Sequence, residues 1–133
     1  MGGGPGSSIT LNKSVISNNS EIIRNTAPSA TGAGLLNHVT VTPNKTVVSG
    51  NSAPGGLGGG ITNAIFFAGQ PTPTLVLNNS SVTGNSAAAG GGILNISFDP
   101  TVSAGTVTLT HSDISGNTPD NCEPPGSISG CVG

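Results

Sequence analysis

Residues 80–86 read Ser80-Ser81-Val82-Thr83-Gly84-Asn85-Ser86, and closely similar phrases fill residues 14–20, 46–52 and 112–118. The asparagines near the end of these phrases are Asn19, Asn51, Asn85 and Asn117. They follow one another at steps of 32 (19 to 51), 34 (51 to 85) and 32 (85 to 117) residues. Such a period, with its polar and apolar positions preserved, is the signature of a repeat protein whose units stack on one another.

Composition limits what these repeats can build. The chain has 133 residues, 6% of them charged, with no Trp or Tyr and three Phe, so we expect a narrow core of small aliphatic side chains. A net charge of −2 provides no basic surface for a phosphate backbone, so we expect no nucleic-acid partner. No apolar run approaches the ~18 residues of a membrane span. The Gly-rich residues 1–8 lack the features of a signal peptide, and we expect either a fragment or export signalled elsewhere.

Two further recurring segments complete the repeat. Glycine-rich segments occupy residues 32–37, 58–63 and 90–95, and segments that alternate apolar and polar residues occupy 9–11, 39–41, 75–77 and 107–109. Alternation with period two indicates a strand with one buried face. The sequence therefore predicts three short strands per repeat and no substantial helix.

Equivalent apolar positions in successive repeats form columns, a term used below for residues that stack from one repeat to the next. The three predicted core columns are Ile16, Val48, Val82 and Ile114; Leu35, Ile61 and Ile93; and Leu11, Leu77 and Leu109. Val41 is expected to join the third column after a two-residue insertion around Pro43. Burial of these columns would supply the hydrophobic core.

Polar columns accompany the apolar ones. We expect the asparagine column Asn19, Asn51, Asn85 and Asn117, and equally Asn37, Asn63 and Asn95, to pass amide hydrogen bonds between repeats. Ser14, Thr46, Ser80 and Ser112 form a predicted hydroxyl column. Asn18, Gly50, Gly84 and Gly116 precede the closing asparagines. Because Gly and Asn tolerate positive φ, a sharp corner is predicted there.

A solenoid fits this pattern better than a propeller, whose blades need about 40 residues and four strands each. The predicted fold is all-β: a right-handed parallel β-helix of about four turns, each with three short strands. Its predicted parts are a flexible, incomplete turn over residues 1–8, repeats over 9–118 and a cap over 119–133.

The two motifs together resemble the right-handed parallel β-helix repeat proteins of bacteria. Residues 58–61 and 90–93 are similar to the Gly-Gly-Ala-Ile half of the polymorphic outer-membrane protein repeats. Residues 16–19, 48–51, 82–85 and 114–117 are similar to their Phe-x-x-Asn half, with an aliphatic residue in place of Phe. Residues 117–131 look like the terminus of secreted actinobacterial members. The resemblance spans about residues 9–131 and implies the fold more than an activity.

The two cysteines, Cys122 and Cys131, follow the last predicted strand and enclose a loop rich in Pro and Gly. We favour a disulfide that pins a cap over the end of the last repeat, which would imply an oxidising compartment. Free thiols and metal binding remain alternatives, although His38 and His111 lack the spacing of a zinc site.

The segments between Asn63 and Leu77 and between Asn95 and Leu109 are equally long, so Phe66 is expected to stack on Phe98. A platform for a sugar ring is the alternative role for these rings.

Catalytic chemistry has few candidates. Polysaccharide lyases and hydrolases need converging carboxylates, yet Asp99, Asp113, Asp120 and Glu123 share no column. His111 and Asp113 are predicted on one face of one strand, where a dyad beside Ser80 or Ser81 is conceivable. No catalytic residue, cofactor or metal is predicted.

Thr40, Thr42, Thr106, Thr108 and Thr110 resemble the flat threonine arrays of ice-binding solenoids, interrupted by Val76 and Asn78. The favoured hypothesis is a non-catalytic, secreted or cell-surface scaffold with a structural or adhesive role. The alternatives are a degenerate or partial polysaccharide-active enzyme and an ice-binding solenoid. Expected partners are a carbohydrate, a host or cell-surface protein, or a second copy of the chain at an uncapped N-terminal edge.

Overall fold

The computed structural model describes residues 8–12, 15–17 and 31–133, with the first two ranges described through their backbone. These residues contain strands and turns and no helix. The strands, in chain order, are β1 (Ser8–Asn12), β2 (Val15–Ser17), β3 (Leu35–Asn37), β4 (Thr40–Asn44), β5 (Val47–Ser49), β6 (Ser52–Leu57), β7 (Ile61–Ile65), β8 (Thr74–Asn78), β9 (Ser81–Thr83), β10 (Ser86–Ala89), β11 (Ile93–Ser97), β12 (Thr106–Thr110), β13 (Asp113–Ser115) and β14 (Cys122–Glu123).

Every sheet joins equivalent strands of successive repeats. Three sheets have four strands each, in the orders β1-β4-β8-β12, β2-β5-β9-β13 and β3-β7-β11-β14, and a fourth sheet pairs β6 with β10. All of the pairings are parallel. Parallel neighbours require a crossover between them, and here the rest of each repeat supplies it. The arrangement is consistent with a β-helix or solenoid.

The interior columns follow the predicted register in two of the sheets. Val48 pairs with Val82, and the backbone positions of Ile16 and Ile114 continue this column at its two ends. Ile61 pairs with both Leu35 and Ile93, and all three side chains are buried. Cys122 lies next to Ile93 in β14, so a cysteine extends an aliphatic column that the sequence predicts to stop at Ile93.

The predicted placement of Val41 is wrong. Val41 pairs with Leu75, while Pro43 lies opposite Leu11 and occupies the buried position next to Leu77. Pro43 therefore belongs to β4 and does not mark an insertion. Its ring fixes φ at a value that an extended strand accepts, and its missing N–H costs a single ladder bond. Leu77 then pairs with Leu109 as predicted.

Two of the recurring corners in the described repeats flank the sheet of β5, β9 and β13 and use left-handed backbone. Gly50, Gly84 and Gly116 have φ values of 66°, 64° and 64°, as the Gly/Asn alternation predicts for the described repeats. Asn18 and Asn19 lie outside the described residues. A second corner, not predicted, has φ values of 49°, 48° and 48° at Lys45, Asn79 and His111. These residues connect the sheet of β4, β8 and β12 to the sheet of β5, β9 and β13.

The prediction of three strands per repeat is incomplete, because β6 and β10 add a fourth in two repeats. They lie directly before the glycine-rich segments. The sheet of β3, β7 and β11 also buries side chains on the face opposite the core. Leu36, Thr62 and Leu94 form a column on this face and are each at most 2% exposed. Gly58 approaches Thr62 so closely that a Cβ at Gly58 would overlap the threonine hydroxyl. The glycines therefore let the chain fold back over these side chains.

Candidate functional surfaces

A ladder of buried asparagines runs through the corner after β5, β9 and β13. The backbone N–H and the Nδ2 of Asn85 donate to Asn117 Oδ1 at 2.9 and 3.0 Å. Asn117 in turn donates from both groups to Asn121 Oδ1 at 3.1 Å. Asn121, which the sequence pattern does not reveal, thus ends the ladder inside the cap. Asn19, the predicted first member, lies outside the described residues.

The second asparagine ladder lies within the sheet of β3, β7 and β11, at the third residue of each strand. Asn37 Nδ2 donates to Asn63 Oδ1 at 2.6 Å, and Asn63 Nδ2 donates to Asn95 Oδ1 at 2.9 Å. Asn95 Nδ2 donates to the carbonyl oxygen of Gly105 at 2.9 Å. Because these amides bond to neighbouring repeats, they hold the sheets together and present no reactive group to solvent.

The predicted hydroxyl column has the same structural role. Ser80 is 5% exposed, and its Oγ accepts from the backbone N–H of Thr46 at 3.1 Å. The Ser80 hydroxyl also contacts the carbonyl oxygen of Asn78 at 2.9 Å, and Ser112 Oγ accepts from the N–H of Ser80 at 3.1 Å. Ser14 lies outside the described residues. A nucleophile needs access to a substrate and a base within hydrogen-bonding reach, and the buried Ser80 contacts backbone groups instead.

The structure corrects the predicted placement of His111 and Asp113 on one strand. β12 ends at Thr110, His111 lies in the corner with φ of 48°, and Asp113 begins β13. The change of direction at His111 removes the period-two relationship that would have put both side chains on one strand face. Asp113 Oδ2 instead accepts from Ser115 Oγ at 3.0 Å, and Asp113 stacks beside Ser81.

Asp99 joins two loops and does not have the properties of a general acid. Its Oδ1 accepts from Thr101 Oγ1 at 2.6 Å and from the Thr101 N–H at 2.9 Å, while its Oδ2 accepts from the Ala68 N–H at 2.8 Å. The hydrogen bonds from Thr101, followed by that from Ala68, lower the pKa of Asp99, because they stabilise the carboxylate. A carboxyl group that donates a proton at neutral pH needs a raised pKa.

The other two acids of the described residues belong to the cap. Asp120 and Glu123 lie in the segment from residue 119 to the end, on either side of Asn121 and Cys122. Within residues 31–133 and the two short described ranges before them, no group of three or more His, Cys, Asp or Glu side chains could hold a metal ion. A pair of carboxylates acting on one glycosidic bond has no counterpart in these positions.

Aromatic rings stack beyond the ends of β7 and β11. Phe66 and Phe98 are stacked with ring centroids 4.9 Å apart and planes inclined by 22°, as the equal segment lengths predict. His38 adds a third ring, which the sequence does not reveal, 4.8 Å from Phe66 and inclined by 41°. Phe98 is 40% exposed and Phe67 63% exposed, so this edge presents apolar surface to solvent.

Gln70 holds the histidine end of this stack. Gln70 Nε2 lies 3.1 Å from His38 Nδ1 and donates to the carbonyl oxygen of Ala64 at 3.0 Å, while Gln70 Oε1 accepts from the Phe66 N–H at 2.9 Å. An amide nitrogen next to Nδ1 favours the neutral imidazole with its proton on Nε2. Burial lowers the pKa of His38, and a hydrogen bond with the Ala64 backbone acts in the opposite direction.

The outward face of β4, β8 and β12 is a regular neutral surface. Along these strands the buried or partly buried side chains alternate with nine outward positions, of which six are Thr, two Asn and one Val. The outward columns are Thr40, Thr74 and Thr106; Thr42, Val76 and Thr108; and Asn44, Asn78 and Thr110. This set is called the threonine face below. Thr74 faces outward because it alternates with Leu75 and Leu77, and the register that places Val41 beside Leu75 stacks Thr74 on Thr40.

The cap closes one end of the core. A disulfide joins Cys122 to Cys131, with their Cα atoms 6.2 Å apart. Cys122 and Ile128 are each 2% exposed and belong to the same cluster as Leu35, Ile61 and Ile93. The disulfide therefore fixes a loop whose own side chain, Ile128, covers the last repeat.

Among the described residues there is no helix long and apolar enough to cross a membrane. Comparison of the chain with protein-family models, with curated proteins and with solved structures finds no match.

Proposed function

We propose that this chain is a non-catalytic scaffold, a right-handed β-helix that is secreted or displayed at a cell surface and acts through the side chains on its flat outer faces. The observation that carries the proposal is that the buried asparagines serve to hydrogen bond one repeat to the next. Asn51, Asn85 and Asn117 are at most 9% exposed, and all of them hydrogen bond across repeats. Such ladders rigidify a structure because each buried amide in them hydrogen bonds to the next repeat.

Handedness is supported by chain sterics. Each pair of neighbouring parallel strands is connected through a crossover, and such crossovers are right-handed in about 98% of known cases. The resemblance to bacterial β-helix repeats supports the same hand.

An extracellular location is supported by the disulfide between Cys122 and Cys131, since disulfides persist in oxidising compartments. The low charge and the regular outer columns suit a structural or adhesive role. A carbohydrate or a surface protein remains the proposed class of partner for an adhesive role.

Catalytic inactivity can be tested directly. We expect the purified chain to leave polygalacturonate, alginate and xylan intact in reducing-sugar and unsaturated-product assays, with and without added Ca²⁺. Activity in the wild-type chain that disappears in Asp99→Asn or Asp113→Asn would overturn the proposal. Asn substitution keeps the shape of each side chain and removes its charge, so loss of activity would not be explained by lost packing.

Rigidity is the second testable property. We expect residues 31–133 to resist proteolysis under native conditions and to become sensitive after reduction and denaturation. The matched control is the Asn85→Ala chain, in which the ladder is interrupted. Rapid cleavage of the native wild-type chain next to the ladder asparagines would contradict the proposal of a rigid scaffold.

A further inference from the structure

We propose that the threonine face binds the surface of ice. This inference rests on the proposed function, because it assigns a ligand to one outer face of the scaffold. It begins with the arrangement of the side chains. Thr40, Thr74 and Thr106 form one column, and Thr42 and Thr108 lie on either side of Val76 in the next.

The face has two fixed repeat distances. Neighbouring strands are about 4.8 Å apart, and successive outward residues of one strand are about 6.6 Å apart. Parallel pairing in unbroken register carries both distances from β8 to β12, and from β4 to β8 at Thr40, Val41 and Asn44. Such a two-dimensional array suits a ligand that is itself periodic in two dimensions, and these distances are close to spacings between oxygen atoms on faces of ice.

The side chains are also held in place. Threonine is branched at Cβ, which restricts χ1, so its hydroxyl and methyl groups keep fixed positions above a sheet. Asn78 Nδ2 donates to Asn44 Oδ1 at 2.8 Å, which orders the third column. Ordered hydroxyls can hold water molecules in rows, and the methyl groups between them favour removal from liquid water.

The side-chain composition of the threonine face favours ice over other ligands with a periodic surface. None of its nine outward positions carries a charge, so it offers no electrostatic complement to an ionic mineral. None is aromatic, and the aromatic rings that would stack on the sugars of crystalline cellulose or chitin lie on the loops around Phe66 and Phe98. A neutral surface of hydroxyl and methyl groups matches a neutral lattice of water.

The experiment uses the full chain in two ice assays, thermal hysteresis and inhibition of ice recrystallisation, with partitioning of the protein into a growing ice front as the binding measurement. We expect the wild-type chain to be active and Thr42→Tyr to lose activity, because a phenol ring lifts the lattice away from the face. Thr83→Tyr is the matched control. Thr42 and Thr83 are both half-buried threonines on inner strands, β4 and β9, but Thr83 is on a different sheet.

Val76→Thr provides a test in the opposite direction. It completes the column of Thr42 and Thr108, and we expect a larger thermal hysteresis than in the wild type. Circular dichroism and the melting temperature establish that each variant is folded. An inactive wild type, or equal losses in Thr42→Tyr and Thr83→Tyr, would overturn the inference.

Two other results would also overturn it while leaving the scaffold in place. One is binding of crystalline chitin or cellulose without binding of ice. The other is self-association through this face, seen as an oligomer that Thr42→Tyr dissociates in light scattering while ice growth is unaffected. Cleavage of a soluble polysaccharide would contradict the proposed function instead, so the two failures are distinguishable.

Discussion

Asn85 Oδ1 accepts two hydrogen bonds from Asn51, one from its backbone N–H and one from its Nδ2, each 2.9 Å long. The Nδ2 of Asn85 also donates to the carbonyl oxygen of Val48 at 3.0 Å. One amide therefore joins neighbouring repeats through both its donor and its acceptor, and only a side chain with both groups can do so.

Asn85→Ala is expected to lower the free energy of unfolding by about 3 kcal/mol, because it leaves buried donors and acceptors without partners. Urea denaturation would measure the loss. The control is Asn78→Ala, since Asn78 is only half-buried and donates to Asn44 on the outer face, where the expected loss is about 1 kcal/mol or less. Equal losses in the two variants would contradict the importance of the buried ladder.

Gly60→Ala is expected to be strongly destabilising. A Cβ at Gly60 would lie 2.6 Å from the carbonyl oxygen of Gly92 and 2.7 Å from Val82 Cγ1, so we expect a loss of about 3 kcal/mol. Gly84→Asn is the comparison, because Gly84 has φ of 64° with no atom within 4 Å of an added Cβ, and Asn tolerates left-handed backbone at a cost of about 1 kcal/mol. If thermal melts gave a lower melting temperature for Gly84→Asn than for Gly60→Ala, the close approach of the repeats would not be the reason for glycine at position 60.

Thr62→Val is expected to stabilise the protein by about 1 kcal/mol. Thr62 Oγ1 is, among the described residues, one of two buried side-chain polar atoms without a hydrogen-bond partner. Thr62 lies between Leu36 and Leu94 in the register. Removing an unsatisfied hydroxyl while keeping the shape recovers its desolvation cost. Thr83→Val, on a half-exposed position, is expected to change stability by less than about 0.5 kcal/mol. A destabilised Thr62→Val chain in urea would indicate a role for the hydroxyl.

Cys131→Ser is expected to lower stability by about 2.5 kcal/mol, since the disulfide restricts a short loop in the unfolded chain. Cys131 is the better position for the substitution, because Cys131→Ser leaves the buried Cys122 sulfur in the core, whereas Cys122→Ala would remove it. Thiol titration should find no reactive cysteine in the native wild type and two after reduction and unfolding. A reductant should lower the melting temperature of the wild type and leave that of Cys131→Ser unchanged; the reverse pattern would exclude a stabilising disulfide.

Stability should also fall as the pH is lowered through the range in which His38 titrates. The pKa of His38 is lowered in the folded protein, chiefly by burial, so the unfolded chain binds more protons below its ordinary value of about 6.5. The contribution is therefore fully present above pH 6.5 and is lost as the pH falls toward the folded pKa. His38→Phe keeps a ring beside Phe66 without a titrating group, and its melting temperature should depend less on pH between 7.5 and 5.5. Identical pH profiles would assign the effect to other groups.

Periodicity made much of this structure predictable. Val48, Val82 and Ile114 occupy equal positions in equal phrases, and parallel strands stack such positions on one another. The glycine corners and the Phe66–Phe98 stack follow from the same equivalence. Cys122 and Cys131 were suitable for a disulfide because they are the only cysteines and are close in the sequence.

Features that depend on the path between the phrases were not predictable. His38 directly follows Asn37, whereas Phe66 lies three residues after the equivalent Asn63, so the two positions are not equivalent. His38 still completes the aromatic stack because the loop between β3 and β4 is shorter than the loop between β7 and β8. Asn121 ends a ladder from within the cap, where no repeat remains to signal it.

By itself, the sequence determined the repeat, its strand-forming segments and the residues that stack, because identical side chains at a constant interval are buried most easily against one another. Only the tertiary structure decided that Pro43 lies within a strand, that Thr62 is buried under a glycine turn and that the outward threonines form aligned columns. The physical reason is that these features depend on strand register and on the covering of one segment by another, which local propensity and spacing do not specify.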